Sequence, residues 1–335
     1  MRHIGKRHAF GAAAAAALLA LTTTACGDDG DSGGSGAAGD SFEIAFIPGV
    51  ANDAYYGSVA CGIQAVAARS GSTVDVQAPK SFSPTDQIPI LQAVIAKKPD
   101  VIIIAPTDSK ALYAPLRQAT SQGIKVVLVD TTLEDPSLAE SEVTSDNVEA
   151  GKVAAEKLVE LLGGRTGSVL TVNLSAGVTT TDDREKGFAE GIEAASGLKY
   201  LGQQFSNNSV QTASSIVSAT LAANSDLTGI FSTAAFNTEG AVAALKSANA
   251  TSRVTIVGFN ANPPGVQQIE DGTVAAQVVL KPYDEGVAAA EQAVNALTGE
   301  PVTKQISTGA LVATKDNLQT PEVQKYLYSF DCPAA

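Results

Sequence analysis

From residue 42 onward, apolar runs of strand length alternate with longer stretches of helical periodicity, the pattern of βα units that feed a parallel sheet. In the first half FEIAFIPGV (42–50), TVDVQAP (73–79), DVIIIAP (100–106) and KVVLVDTT (125–132) read as strands, separated by helices at 56–69, 86–97 and 110–122. Pro89 is expected in the first turn of its helix, where a missing amide hydrogen is tolerated. A second set begins after TSDNVEAG (144–151), with helices at 148–162, from 181, at 209–223 and at 237–248. Its strands are SVLTVNL (168–174), YLGQQFS (200–206), GIFSTA (229–234), VTIVGFN (254–260) and VAAQVVLK (274–281). A last helix (283–297) and one strand, QISTGALVA (305–313), must be shared between the two halves, and the tail from Lys315 has no strong period. The fold class predicted is α/β, with two similar halves built on parallel sheets.

The first 41 residues follow other rules. Arg2, Lys6 and Arg7 precede an apolar run at 9–21, and Thr23-Thr24-Ala25 leads to Cys26, the three zones of an export signal. The run holds about a dozen residues against the roughly 20 that a membrane-spanning helix needs, so residues 1–25 are read as a removed signal peptide. The junction resembles a bacterial lipobox, which implies lipidation of Cys26, although Thr23 stands where leucine is usual. From residue 27 to Ser41 the acidic, glycine-rich segment has no hydrophobic cluster to offset chain ordering and reads as a flexible tether reaching roughly 20 Å. Gly34, Gly36 and Gly39 spell G-x-G-x-x-G, but ahead of the first strand rather than after it, so they carry no dinucleotide-binding argument.

Composition removes several chemistries. The only two histidines, His3 and His8, lie in the leader, so the mature chain has no histidine-based triad and no imidazole metal site. No G-x-S-x-G, phosphate-binding loop or Cys-x-x-Cys occurs, and no catalytic residue, metal or cofactor is expected. The chain carries a net charge of −13, and loss of the leader's three basic side chains leaves −16, which disfavours nucleic acid as a partner. The remaining cysteines, Cys61 and Cys332, are expected to bond outside the cytoplasm and to pin the tail to the first helix. Closing so long a loop stabilises by about 4 to 5 kcal/mol in the chain-entropy model.

Ligands of open α/β sheets bind beyond the carboxyl ends of the strands. In the first half those positions hold Asn52, Asp53, Tyr55, Tyr56, Thr107, Asp108, Asp130 and Thr131; in the second, residues 179–184, Asn207, Phe236 and Asn260. Aromatic, amide, carboxylate and guanidinium groups without a nucleophile–base pair suit recognition of a neutral polyhydroxyl molecule.

Over about residues 42–315 the chain resembles the substrate-binding lipoproteins of bacterial ABC importers, in the type I family that includes the ribose binders. The likeness rests on Tyr55-Tyr56, APTDS (105–109), VVLVDTT (126–132), TSDNVEAG (144–151), REKGF (184–188), IVGFN (256–260) and VAAQVVLKP (274–282), which occur in the family's order. It implies two doubly wound parallel-sheet, Rossmann-like lobes with the ligand in the cleft between them, joined by a three-stranded hinge with crossings near Ser145, Lys281 and Thr308: 42–145 with 281–308, and 146–280 with 309–318, followed by a tail at 319–335. It implies that Tyr55 and Tyr56 stack on a sugar beside Asp53, that Asp130 accepts from hydroxyls and Arg184 donates to them from the opposite lobe, and that Asn207 and Asn260 add polar contacts. The implied partners are a sugar or polyol, a permease with a separate ATPase subunit, and the membrane through the lipid anchor alone, for a monomer on the outer face of the cell membrane. A receptor of the same fold that signals to a sensor kinase or chemoreceptor is the alternative. Ala234, Leu280 and Thr131 stand where ribose binders have asparagine, glutamine and arginine. That loss points away from ribose in the same pose, toward a less polar, larger or deoxygenated ligand or a polyol read by residues such as Thr180, Phe236 or Lys281.

Overall fold

A computed structural model of the protein describes residues 41–332; the expected signal peptide, Cys26 and the tether up to residue 40 lie outside the described residues. The first sheet is assembled from β1 (Glu43–Ile47), β2 (Thr73–Val76), β3 (Val101–Ile104), β4 (Lys125–Val129), β5 (Ser141–Ser145) and β11 (Gln305–Thr308), in the spatial order β11-β5-β4-β3-β1-β2. The second contains β6 (Gly167–Asn173), β7 (Leu198–Phe205), β8 (Leu227–Ser232), β9 (Thr255–Phe259), β10 (Ala276–Val279) and β12 (Leu311–Thr314), in the order β12-β10-β9-β8-β6-β7. The pairings are parallel except that of β12 with β10. Strands such as Val101–Ile104 are apolar at every position because helices cover both faces, and all four residues are fully buried. In both sheets the order reverses beside the first strand, which opens a crevice there: between β1 and β3, and between β6 and β8.

The helices of the first lobe are α1 (Ala54–Ser70), α2 (Pro84–Lys97), α3 (Tyr113–Ser121) and α9 (Pro282–Thr298). Those of the second are α4 (Asn147–Leu162), α5 (Thr179–Glu193), α6 (Val210–Ala223), α7 (Ala235–Ser247) and α8 (Pro263–Glu270), and the short α10 (Pro321–Gln324) lies in the tail. Asp53 caps α1 by accepting from the Tyr55 N–H, and Gly71 ends that helix with φ +69°, a conformation glycine adopts freely. Four expectations need correction. Helix α2 starts at Pro84, so Pro89 falls in its second turn. The single strand expected at 305–313 is two, β11 and β12, broken at Gly309-Ala310 and divided between the sheets. Strand β5 was not expected, because SEVTS alternates in burial and lacks an apolar run. Helix α8, which begins at a Pro-Pro pair, was likewise not among the expected elements.

Two helix pairs pack with almost no side chain between them. A Cβ on Gly151 would lie 2.1 Å from the Arg184 carbonyl oxygen, and one on Gly187 would lie 1.9 Å from that of Val148, so α4 and α5 meet backbone to backbone. In the other lobe Gly62 and Gly286 make the same reciprocal contact between α1 and α9, at 2.2 and 2.1 Å. The glycines of TSDNVEAG and REKGF are therefore packing residues. Gly187→Ala is expected to force α4 from α5 and cost about 3 kcal/mol, read as a lower denaturant midpoint; an unchanged midpoint would contradict this contact.

The chain passes between the sheets after β5, after β10 and after β11. The tail then makes a fourth passage. Leu318 and Val323 are buried in the core, and the Tyr328 N–H bonds the Ala261 carbonyl in the second lobe at 3.0 Å. The very next residue, Ser329, donates its N–H to Ser58 Oγ on α1 in the first lobe at 3.2 Å. Three residues on, Cys332 is bonded to Cys61 on the same helix, with Cα atoms 5.1 Å apart.

Candidate ligand-binding cleft

Asp130 directly follows β4 with a left-handed backbone (φ +64°), and Asn260 directly follows β9 in the same conformation (φ +77°). Each is held by one bond from its own N–H to the neighbouring strand, Val143 O and Val278 O, both 2.9 Å. The two residues occupy matching places in the two sheets, and Asp and Asn are the non-glycine residues that best tolerate such a turn. Both line a cleft between the lobes.

On the first lobe, Tyr55 and Tyr56 at the start of α1 meet edge to face, centroids 5.2 Å apart, and are buried. The Tyr56 hydroxyl lies 2.6 Å from Asp130 Oδ2 and the Tyr55 hydroxyl 3.2 Å from Asp130 Oδ1. Gly49 makes room for this arrangement, since a Cβ there would strike both the Phe82 ring and the Tyr56 oxygen. Burial pushes Asp130 up, and the positive charge of Arg184 pulls it part of the way back. Asp53, half-buried beside the tyrosines, is pushed up to about 6 by burial against the bond from the Tyr55 N–H.

On the second lobe, the close packing of α4 on α5 delivers Arg184 to the cleft. Its Nε donates to Asn147 Oδ1 at 2.8 Å, its Nη1 donates to the Thr233 carbonyl at 2.9 Å, and its guanidinium lies 4.3 Å above the Phe259 ring. Of five N–H donors, three are left without a protein acceptor among the described residues. Among these residues no ion pair joins Arg184 to Asp130, so the guanidinium and the carboxylate face one space from opposite lobes. Phe82 packs across the cleft on Leu174, Val178 and Ala234, and the Thr132 N–H donates across it to Thr179 Oγ1 at 3.0 Å.

Asp53, Tyr55, Tyr56, Asp130, Arg184, Phe236 and Asn260 are thus brought to one cavity. Two assigned positions are not. Thr131 is buried with its hydroxyl donating to the Pro106 carbonyl at 2.8 Å, so its side chain turns away. Asn207 lies in the outer part of the cleft, and its neighbour Asn208 reaches the inner part instead. Thr180 and Ala234 line the cavity, whereas Lys281 lies 5.0 Å from the Tyr326 ring and outside it. Sequence reasoning missed Phe82, Leu174 and Val178, the apolar wall; the lone aromatic of the polar loop KSFSP was its one visible signal. It also missed Tyr328, whose hydroxyl donates to Asn260 Oδ1 at 3.2 Å, accepts from the Leu280 N–H at 3.0 Å, and whose ring packs on Tyr55.

Residues 44–301 match the model of the periplasmic binding protein domain. The chain belongs to that family. Among the family's curated members it is similar to the ribose import binding protein of Bacillus subtilis, 27% identical over 278 residues that span 82% of this chain and 88% of the relative. It is also similar to the D-allose-binding periplasmic protein of Escherichia coli, 27% identical over 67% of this chain and 75% of the relative. Among solved structures, an ABC transporter solute-binding protein of Agrobacterium vitis bound to α-D-tagatopyranose is 35% identical with a TM-score of 0.84, covering 86% of this chain and 99% of that one. A second from the same organism, with bound D-fucose, is 30% identical with a TM-score of 0.81, covering 85% and 100%. The family's two α/β lobes are the architecture described above. Among the described residues no helix is long and apolar enough to cross a membrane, and no cluster of His, Cys, Asp or Glu is arranged to hold a metal.

Proposed function

We propose that this protein is the extracytoplasmic solute-binding component of an ABC importer, and that it captures a sugar or polyol by closure of its lobes. The observation that carries the reading is the opposition of Asp130, with its two tyrosines, to Arg184 across one cavity. Sugar hydroxyls donate to the carboxylate and accept from the guanidinium, in charge-assisted bonds stronger than neutral ones. The tyrosine rings offer apolar faces to the sugar's C–H surface. Because the two charges belong to different lobes, a ligand that engages both favours the closed arrangement.

The relatives named for import favour transport over sensing. Phe82, Leu174, Val178 and Ala234 present no polar group along one wall, which suits a sugar with fewer hydroxyls than ribose offers for its size, such as the D-fucose bound in one similar structure. A lipid on Cys26 would hold the monomer at the outer face of the membrane, where the closed form meets a permease driven by a separate ATPase subunit.

A thermal-unfolding screen tests the reading, with the protein refolded to strip carried ligand and offered pentoses, hexoses, deoxysugars, polyols, inositols and nucleosides. Ligand at 100 times its dissociation constant is expected to stabilise by about 2.7 kcal/mol. A shift with one sugar or polyol class is the expected result, and silence across every carbohydrate arm contradicts it.

A further inference from the structure

Glu285, the fourth residue of α9, is fully buried and lies behind the cleft. Its Oε1 accepts from the hydroxyl of Ser145, the last residue of β5, and from that of Thr308, the last residue of β11, at 2.9 Å for the latter. Both residues stand where the chain passes between the sheets, and α9 itself follows the remaining β10 crossing. Its Oε2 lies 2.5 Å from the Tyr55 hydroxyl, which lies 3.2 Å from Asp130 Oδ1.

That geometry poses a proton count. A phenol has one proton, yet two carboxyl groups claim it. With both carboxylates ionised, one of the two contacts would set oxygen lone pairs against each other between buried groups, a costly arrangement. A single added proton removes the conflict. Glu285 Oε2–H donates to the Tyr55 oxygen, the Tyr55 O–H donates to Asp130, and Ser145 and Thr308 donate to Oε1.

We propose that Glu285 is a positioning residue for ligand capture, which as a neutral acid aims the Tyr55 hydroxyl at Asp130 and ties the cleft carboxylate to two of the three crossings between the sheets. This rests on reading the cleft as a sugar site. The groups that face Glu285 are Tyr55 from α1, Asp130 from the end of β4, Ser145 from β5, Thr308 from β11 and the neutral Tyr328 of the tail. Burial first, and then the charge of Asp130, push its carboxyl up to about 7 against the bonds from Ser145, Tyr55 and Thr308. Tyr55 stays a phenol, since burial and both carboxylates drive it well above its ordinary value.

The sign of the pH effect follows. An acid that holds its proton more tightly when folded stabilises the fold below its ordinary value of 4.5, and that contribution is lost as pH rises through about 7. Glutamine in its place would keep the same bonds without titrating, its amide N–H donating to Tyr55 and its carbonyl accepting from Ser145 and Thr308.

The experiment compares the full chain with Glu285→Gln and Glu285→Ala, ligand-free, by melting temperature from pH 5.5 to 8.5 and by infrared absorption of a protonated carboxyl carbonyl. The wild type is expected to lose several degrees across that range more than Glu285→Gln does, and to show a carboxylic acid band at low pH that Glu285→Gln lacks. Glu285→Ala is expected to melt lower than both at pH 5.5. D-fucose and D-tagatose then serve as probes, and whichever binds the wild type should bind Glu285→Gln within threefold at pH 5.5 and Glu285→Ala at least tenfold more weakly. A glutamine variant as damaged as alanine at pH 5.5, or identical infrared spectra of wild type and Glu285→Gln, overturns the neutral acid. Normal probe binding by Glu285→Ala overturns the positioning role. If neither probe binds the wild type, the sugar that shifts it in the broader unfolding screen takes their place, and silence in every sugar arm overturns the positioning role together with the sugar reading, while the stability and infrared arms still decide the state of Glu285.

Discussion

Replacing Arg184 with alanine is expected to weaken binding of the captured sugar by about 30-fold or more, equivalent to about 2 kcal/mol. The guanidinium is fixed before any ligand arrives, by Asn147, by the Thr233 carbonyl and by the Phe259 ring, and it keeps three N–H donors for the cleft. Without it, sugar hydroxyl oxygens enclosed by the closed lobes have no donor to replace water. Asp53 and Asp130 are also left without the one cationic group that lines their cavity among the described residues. Lysine is not expected to rescue, because the planar fork that reaches Asn147 and Thr233 together has no equivalent in an ammonium. Calorimetric titration measures the loss, with circular dichroism to verify folding. Wild-type affinity in a folded variant would remove Arg184 from the site.

The second large effect concerns the tail. A chain with both Cys61 and Cys332 replaced by alanine is expected to lose about 5 kcal/mol of stability, the value for closing a loop of such length in the chain-entropy model. The bridge spans 271 residues, so it constrains nearly the whole unfolded chain. It also secures a strap that changes lobes within one peptide unit, between Tyr328 and Ser329. Tyr328 touches Tyr55, Asn260 and the Leu280 N–H, so a loosened tail is expected to lower ligand affinity as well as melting temperature. Denaturant unfolding with and without reductant reads the first effect, and titration of the double variant reads the second. A midpoint unmoved by reduction would show that the bridge contributes little.

Much of the fold was legible because both sheets are buried on two faces, so strands such as Val101–Ile104 and Lys125–Val129 are apolar runs that stand out from amphipathic helices. Strand β5 was hidden for the opposite reason: SEVTS alternates in burial and offers no apolar run, although it pairs with the neighbouring β4 as well as with the distant β11. The break between β11 and β12 falls at Gly309-Ala310, and the glycine inside an otherwise strand-forming run was its one visible signal. Most assigned cleft residues follow a strand end and could be found by that rule. Thr131 fails it because the left-handed turn at Asp130 sends successive side chains in different directions, one to the cleft and one to the Pro106 carbonyl. Glu285 and Tyr328 were out of reach. Each acts through a neighbour met only in three dimensions, Glu285 on a helix and Tyr328 in a tail without period.

The most direct test of capture by closure is the radius of gyration of the ligand-stripped protein in small-angle X-ray scattering, with and without a saturating sugar found in the unfolding screen. The account predicts contraction on binding in the wild type, because only a closed cleft lets Arg184 of one lobe and Asp130 of the other grip the same molecule. Stoichiometric binding with no change in the radius would contradict it.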